Sequence, residues 1–289
     1  MKYTILSILV GSLLLAGCGG SDNNSNSSPK GNGGEGTPST PKETVNWNDQ
    51  ETVNGLVGSA VSVLMPMGFT DGLITGTDDA FDNDNVQCKS GTITKTANKI
   101  TFNDCKGLFG DDVTVSGTVN KTATGNKYTY QYDKLIIDDG EKSTINGIVT
   151  AEGDDFNSTV TINNFKVSSI EIDEKKQKRT VEYLLNNYKF ESKDMGNDAF
   201  SIKMSGESSS TGSEVGDYGI KFNTEQPFLF KNEDSNAYNG LLKVSSMSNP
   251  QNYATVSANA DETNVIYQSF SNNKLFINKT ITWEELLDY

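Results

Sequence analysis

The sequence predicts a mainly β fold: an antiparallel meander, curled into an open or closed barrel or folded into two packed sheets, with one N-terminal amphipathic helix. Three observations predict it. From about residue 85 onward, apolar and polar positions alternate, as at Tyr128, Tyr130 and Tyr132 in YTYQYD and at Val160 and Ile162 in STVTIN; this is the period of strands with one buried face. Turn chemistry separates the strand candidates, at Thr124-Gly125-Asn126, Glu152-Gly153-Asp154, Gly196-Asn197-Asp198 and Asp261-Glu262-Thr263. These residues tolerate positive φ or bond their own backbone. Finally, a small polar residue precedes glycine at Ser90-Gly91, Ser116-Gly117, Asn146-Gly147, Ser205-Gly206 and Asn239-Gly240, with glycines 26, 30, 59 and 34 residues apart. Each pair is read as opening a strand in a hairpin module of about 30 residues, which gives about ten to twelve strands in all.

The helix is expected over about residues 49–65. Val53, Leu56, Val57, Ala60, Val61 and Leu64 line one helical face. Asn48 with Glu51 forms a capping box, and Pro66 and Gly68 supply the stop. Its polar side carries no Lys or Arg, unlike a helix that lies on a membrane, so the apolar face is expected to pack on the domain. A wide sheet closed into a barrel cannot fill its interior with side chains and must hold a ligand, water or a plug. The helix is the candidate cover.

Residues 1–17 carry one charge, Lys2, ahead of an apolar and small-residue run from Ile5 to Gly17. That is the layout of a secretory signal, too short to span a bilayer. Leu15, Ala16, Gly17 and Cys18 resemble the cut site of a bacterial lipoprotein signal. The resemblance implies cleavage before Cys18 and acylation of that residue. Two or three acyl chains on one residue anchor a protein where a single one would not. Gly19 rather than Asp follows, and by the sorting rule of the lipoproteins it resembles this implies delivery to the outer membrane. Residues 18–45 are rich in Gly, Ser, Asn and Pro and cannot bury enough surface to order, so they read as a flexible tether. Residues 46–289 form the β domain.

Composition narrows the chemistry. With 24 basic and 38 acidic residues the formal charge is −14, which repels phosphate backbones and makes nucleic acid an unsuitable partner. The chain has no histidine. That removes Ser-His-Asp and Cys-His nucleophilic sites, histidine zinc sites and the commonest general base. P-loop, GxSxG and strand-following GxGxxG motifs are absent from the sequence.

Once Cys18 is acylated, Cys88 and Cys105 remain, an even pair in an exported compartment. They bracket CKSGTITKTANKITFNDC, which reads as a hairpin turning at Ala97 and Asn98. A disulfide is expected. The alternation puts Ile93 and Phe102 on one side and both cysteines on the other, with a bulge at Ser90 and Gly91 bringing the thiols together. A CxxC redox or zinc pattern does not match the spacing.

Asp78, Asp79, Asp82 and Asp84 make TDDAFDNDN the densest acidic stretch. It lacks the turning glycine and terminal Glu of an EF-hand, so it reads as a solvated loop rather than a calcium site. Trp47, Trp283 and the eleven tyrosines could line a sugar or lipid site, though such aromatics more often fill cores and sheet faces. A transmembrane barrel fits poorly, because Glu284, Glu285 and Asp288 stand where a lipid-facing strand needs apolar residues.

The order of signal, low-complexity tether, helix, QCKSGTITKT and ITFNDCKG, then VSGTV and a closing YNGLLKV, TVSAN and ITWEELL, resembles uncharacterised bacterial lipoproteins with a paired-cysteine β-hairpin and β-meander repeats. The resemblance implies location and architecture, and names no site beyond Cys18 and the Cys88–Cys105 pair. The expectation is a non-enzymatic outer-membrane lipoprotein, facing periplasm or cell surface. It is held by its acyl chains and binds a hydrophobic ligand or an envelope protein, or acts structurally. No catalytic residue, metal ligand or cofactor is assigned. The alternative is a carboxylate- or calcium-dependent enzyme acting on envelope glycans; buried acids converging in a cleft would favour that one, and an apolar, dry interior the first.

Overall fold

The computed structural model describes residues 43–62, 69–83, 86–153, 157–172, 178–213, 216–232 and 235–287. Residues 1–42, with Cys18, and residues 63–68, with Leu64, Pro66 and Gly68, lie outside the described residues.

Two helices, α1 (Gln50–Ser62) and α2 (Phe69–Asp82), precede the strands. The strands are β1 (Ser90–Thr96), β2 (Lys99–Lys106), β3 (Thr114–Thr124), β4 (Lys127–Asp138), β5 (Lys142–Gly153), β6 (Ser158–Ile172) and β7 (Lys178–Gly196). They continue as β8 (Ala199–Thr211), β9 (Tyr218–Phe230), β10 (Asn239–Ser246), β11 (Tyr253–Ala258), β12 (Asn264–Ser271) and β13 (Lys274–Thr282). A short helix, α3 (Trp283–Leu287), ends the described chain.

All thirteen strands form one antiparallel sheet in sequence order, each hydrogen-bonded to the next, and β1 and β13 do not pair with each other. The fold is therefore an unclosed meander. One face of the sheet is buried against a single apolar core that includes Ile100, Val119, Tyr130, Ile162, Ile220, Val244 and Tyr267, together with Leu56 and Val57 of α1, Leu73 of α2 and Leu286 of α3. In α1, Val53 through Gly58 are buried without a break, so that stretch presents no face to solvent. Its N-cap is Asp49 rather than Asn48: the Asp49 carboxylate accepts from the Thr52 amide at 2.9 Å and from the Thr52 hydroxyl at 2.7 Å.

The acidic stretch is not a loop. Asp78, Asp79 and Asp82 stand on the second half of α2, and Asp84 lies outside the described residues. Leu73, Thr77, Ala80 and Phe81 are buried, an i, i+4, i+7, i+8 series that gives this acidic segment a face to pack. Gly76 leaves room for the Phe109 ring, which would sit 2.8 Å from an added Cβ.

The small-polar–glycine pairs do not all open strands. Ser90-Gly91 and Asn239-Gly240 do, but Ser116-Gly117, Asn146-Gly147 and Ser205-Gly206 lie inside β3, β5 and β8. They mark a crease that crosses the sheet. Register shifts occur beside each pair, at Ser90/Thr92, Ser116/Thr118, Asn146/Ile148, Ile202/Ser205 and Asn239/Leu241. On the intervening strands the same line runs through non-glycine residues at positive φ: Asp104 (48°), Lys134 (48°), Asn164 (52°) and Asn187 (50°). A bulge leaves backbone amides off the ladder, and side chains on the next strand satisfy them. Ser116 Oγ accepts from the Asp104 amide at 3.1 Å, Asn146 Oδ1 from the Lys134 amide at 2.9 Å, and Asn186 Oδ1 from the Asn164 amide at 2.8 Å. At Ser116-Gly117 and Asn146-Gly147 the pair thus has two jobs: its polar residue caps a neighbour's freed amide and its glycine admits the neighbour's backbone. Aromatic rings fill the space over the glycines, Phe165 at Gly147, Phe222 at Gly206 and Phe228 at Gly240. This line of bulges, running from β1 to β10, bends those strands and curls that part of the sheet around the core.

Cys88 and Cys105 are joined by a disulfide. The hairpin turns at Ala97 and Asn98, Ile93 pairs with Phe102, and the register shifts at Gly91. The side of the sheet differs from the alternation argument: Cys105 is buried in the same core as Phe102. The second bulge, at Asp104, inserts one residue between them and inverts the parity.

Both sheet edges carry lysine on the core-facing side. Lys95 of β1 stands opposite buried Ile100, and Lys279 of β13 opposite buried Tyr267. Such residues discourage edge-to-edge pairing between molecules. Replacing Lys279 with isoleucine is expected to leave the monomer folded and to cause concentration-dependent association, visible as earlier elution in size-exclusion chromatography; an unchanged elution volume up to high concentration would contradict this role.

Candidate functional site

At the rim bearing the β1–β2 and β3–β4 turns, the end of α2 meets β3 and β4 around Lys121. This ammonium group donates to Asp78 Oδ1 at 2.6 Å and to Asp82 Oδ1 at 3.4 Å, carboxylates four residues apart on one face of α2. Three rings surround it, with centroids at 5.1 Å (Tyr128), 5.4 Å (Phe81) and 5.7 Å (Tyr130). Each is within cation–π range. Tyr130, paired with Lys121 across the β3–β4 ladder, donates its hydroxyl to Asp78 Oδ1 at 2.5 Å. Next to it Thr77 donates to the Leu73 carbonyl at 2.7 Å and lies 3.2 Å from the Tyr132 hydroxyl. Lys95 donates to the Asn83 carbonyl just past the helix, where a cation meets the negative end of the helix dipole.

The electrostatics follow from this packing. Partial burial pulls Lys121 down, but the hydrogen bond and charge of Asp78, with Asp82 behind it, outweigh burial and hold its pKa above the ordinary lysine value. Lys121 is a fixed cation and not a neutral amine nucleophile. Burial first, and the Asp78 carboxylate second, push Tyr130 far above the ordinary tyrosine value, and burial does the same to Tyr132. An unfolded chain releases these phenolic protons near pH 10, while the folded chain keeps them, so above that pH the folded state binds more protons and stability falls. The raised Lys121 adds to the same loss. Urea midpoints are expected to drop as pH rises past 10, and the Tyr130→Phe variant should show a shallower drop despite losing about 1 kcal/mol at neutral pH with its hydrogen bond. An identical alkaline slope in both proteins would contradict the assignment.

Beside this hub lies an open groove of about 690 Å³, bordered by Phe81, Asp82, Lys95, Asn98, Lys121 and Tyr128 among others. The signal for it was present in part: Leu73, Thr77, Ala80 and Phe81 have helical spacing, but the sequence does not show that Lys121, 43 residues from Asp78, closes the ion pair.

The opposite rim receives Glu43 and Thr44. Thr44 donates its amide to the Asp217 carbonyl at 2.8 Å, and its hydroxyl accepts from the Asp217 amide at 2.8 Å. The Glu43 carboxylate accepts from the Trp47 indole and from the hydroxyls of Ser246 and Ser248. Asp217 precedes β9 and Ser246 ends β10, so the chain enters at the end of the sheet away from the groove.

Of the residues singled out in the sequence, Cys88 and Cys105 are brought together, and Cys18 lies outside the described residues. Trp47 and Trp283 are buried in the core and line no open site. Among the described residues no group of three or more His, Cys, Asp or Glu side chains could hold a metal ion, and no helix is long and apolar enough to cross a membrane. Comparisons with protein-family models, curated proteins and solved structures return no match.

Proposed function

We propose that this chain is a lipid-anchored envelope module, held at the bacterial outer membrane by acyl chains on Cys18 and serving a binding or structural role without catalysis. The observation that carries the reading is the nature of the interior. The buried polar residues among those described are Asn54, Thr77, Thr224 and serines, with no carboxylate or lysine, while the buried apolar side chains form one continuous cluster. An apolar core of this kind suits a scaffold. In this reading α1 is the plug of the unclosed sheet, occupying the place that an external hydrophobic ligand would take in a wider barrel. The clamp of Glu43 and Thr44 on the far rim supports a tethered arrangement, because it fixes where a pull from the membrane enters the fold.

The test is fractionation of cells fed radiolabelled palmitate. The native chain is expected to incorporate label and to pellet with outer membranes, and the Cys18→Ser variant to do neither while remaining folded. Absence of label from the native chain, or its recovery in the soluble fraction, would overturn the anchoring.

A further inference from the structure

We propose that the groove beside Lys121 binds a neutral saccharide, presented on the rim that faces away from the tether. The orientation rests on the anchored reading above; the binding chemistry does not.

Charge balance selects the ligand class. The groove and the hub behind it contain two cations, Lys95 and Lys121, and two anions, Asp78 and Asp82. Lys121 is committed to both carboxylates and Lys95 donates to a backbone carbonyl. With two of each, this corner carries no net charge to draw in an anion or a metal ion. What remains suits a polyhydroxyl molecule, whose hydroxyls both donate and accept: the Asp82 carboxylate, whose side chain is 75% exposed, accepts, and the Asn98 amide at the turn does both. Tyr128, 37% exposed, adds a half-open aromatic ring at the same place, the kind of amphipathic surface on which the C–H face of a sugar ring packs. Among the described residues most large aromatic side chains are buried; Tyr128 and Phe276 are exposed, and of these Tyr128 borders the groove. The volume, about 690 Å³, falls within the roughly 300–1,000 Å³ of small-molecule sites and leaves room for more than one sugar ring.

The site is also preorganised. Lys121 is pinned by two carboxylates and three rings, and Tyr130 fixes Asp78 from below, so little side-chain freedom is lost when a ligand arrives. On the tethered protein this rim points outward, where free or wall-bound glycans can reach it.

The test uses the full chain extracted in a detergent without a sugar headgroup. It is titrated calorimetrically with neutral tri- to hexasaccharides of glucose, galactose, mannose and N-acetylglucosamine, and in parallel with inorganic phosphate and calcium. At least one saccharide is expected to bind, and to bind about tenfold more weakly or worse to Tyr128→Ala, which trims an exposed ring, and to Ala123→Trp, which fills the groove. Circular dichroism and the thermal midpoint of both variants should match the native protein. No saccharide binding, undiminished binding by both folded variants, or binding of phosphate or calcium at the groove in place of sugar would each overturn the proposal. Its failure is separable from that of the anchored reading: unacylated protein that binds sugar loses only the orientation, and a saccharide recovered cleaved would refute the absence of catalysis while leaving the site in place.

Discussion

Replacing Gly117 with alanine is expected to destabilise the fold by about 4 kcal/mol, combining backbone strain with overpacking. Gly117 has φ of 116°, and a Cβ there would lie 2.2 Å from the Lys134 carbonyl oxygen and 2.8 Å from the Leu135 Cα. Both obstacles are backbone, so no rotamer change relieves them. The two strands must separate at the crease or Gly117 must abandon its conformation, and either breaks the bulge that Lys134 and Asn146 complete on the next strands. Gly125→Ala is the control. Gly125 also has positive φ, 63°, but an added Cβ meets nothing within 4 Å, so the cost is about 1–2 kcal/mol from the left-handed conformation alone. Urea denaturation of the two variants measures the difference. Equal, small losses would mean that the crease is not a constraint on the sheet.

Removing the disulfide with the Cys88→Ala, Cys105→Ala double variant is expected to cost about 3 kcal/mol, a fall in thermal midpoint of about 6–12 °C. The bridge closes a segment with sequence separation 17 and ties the residue ahead of β1 to the end of β2. β1 is an edge strand, paired only to β2 and mostly exposed, so it has few other contacts to hold it. Loss of the bridge should therefore act locally, and hydrogen exchange should speed in β1 and β2 before the centre of the sheet. Reduction of the native chain should reproduce the effect. A midpoint unchanged by both treatments would show that the hairpin is held by packing alone.

The sheet, its sequential order and the hairpin turn at Ala97 and Asn98 were legible because period-2 alternation and turn chemistry are local properties. The Ser-Gly and Asn-Gly recurrence was legible as a repeat, but its meaning was not. Whether such a pair opens a strand or creases one depends on whether the adjacent strand carries a residue such as Asp104 or Lys134 at positive φ, which composition does not announce. The same hidden bulge moved Cys105 to the core side. Helix α2 escaped notice because Gly72, Gly76 and four aspartates interrupt its apolar stripe, and part of the buried face is Thr77. Charges drew attention to Asp78 and Asp82, yet their partners, Lys121 and Tyr130, lie on strands that only the folded meander brings alongside. The clamp at the far rim joins Thr44 to Asp217 across 173 residues, a separation at which local pattern is silent.

Mass spectrometry of the N-terminal peptide from membrane-extracted protein tests the central claim most directly. The account predicts a peptide beginning at Cys18 whose mass exceeds that of the bare sequence by a diacylglyceryl group, with or without a further acyl chain on its amine. A peptide retaining residues before Cys18, or beginning at Cys18 with a free thiol, would contradict it.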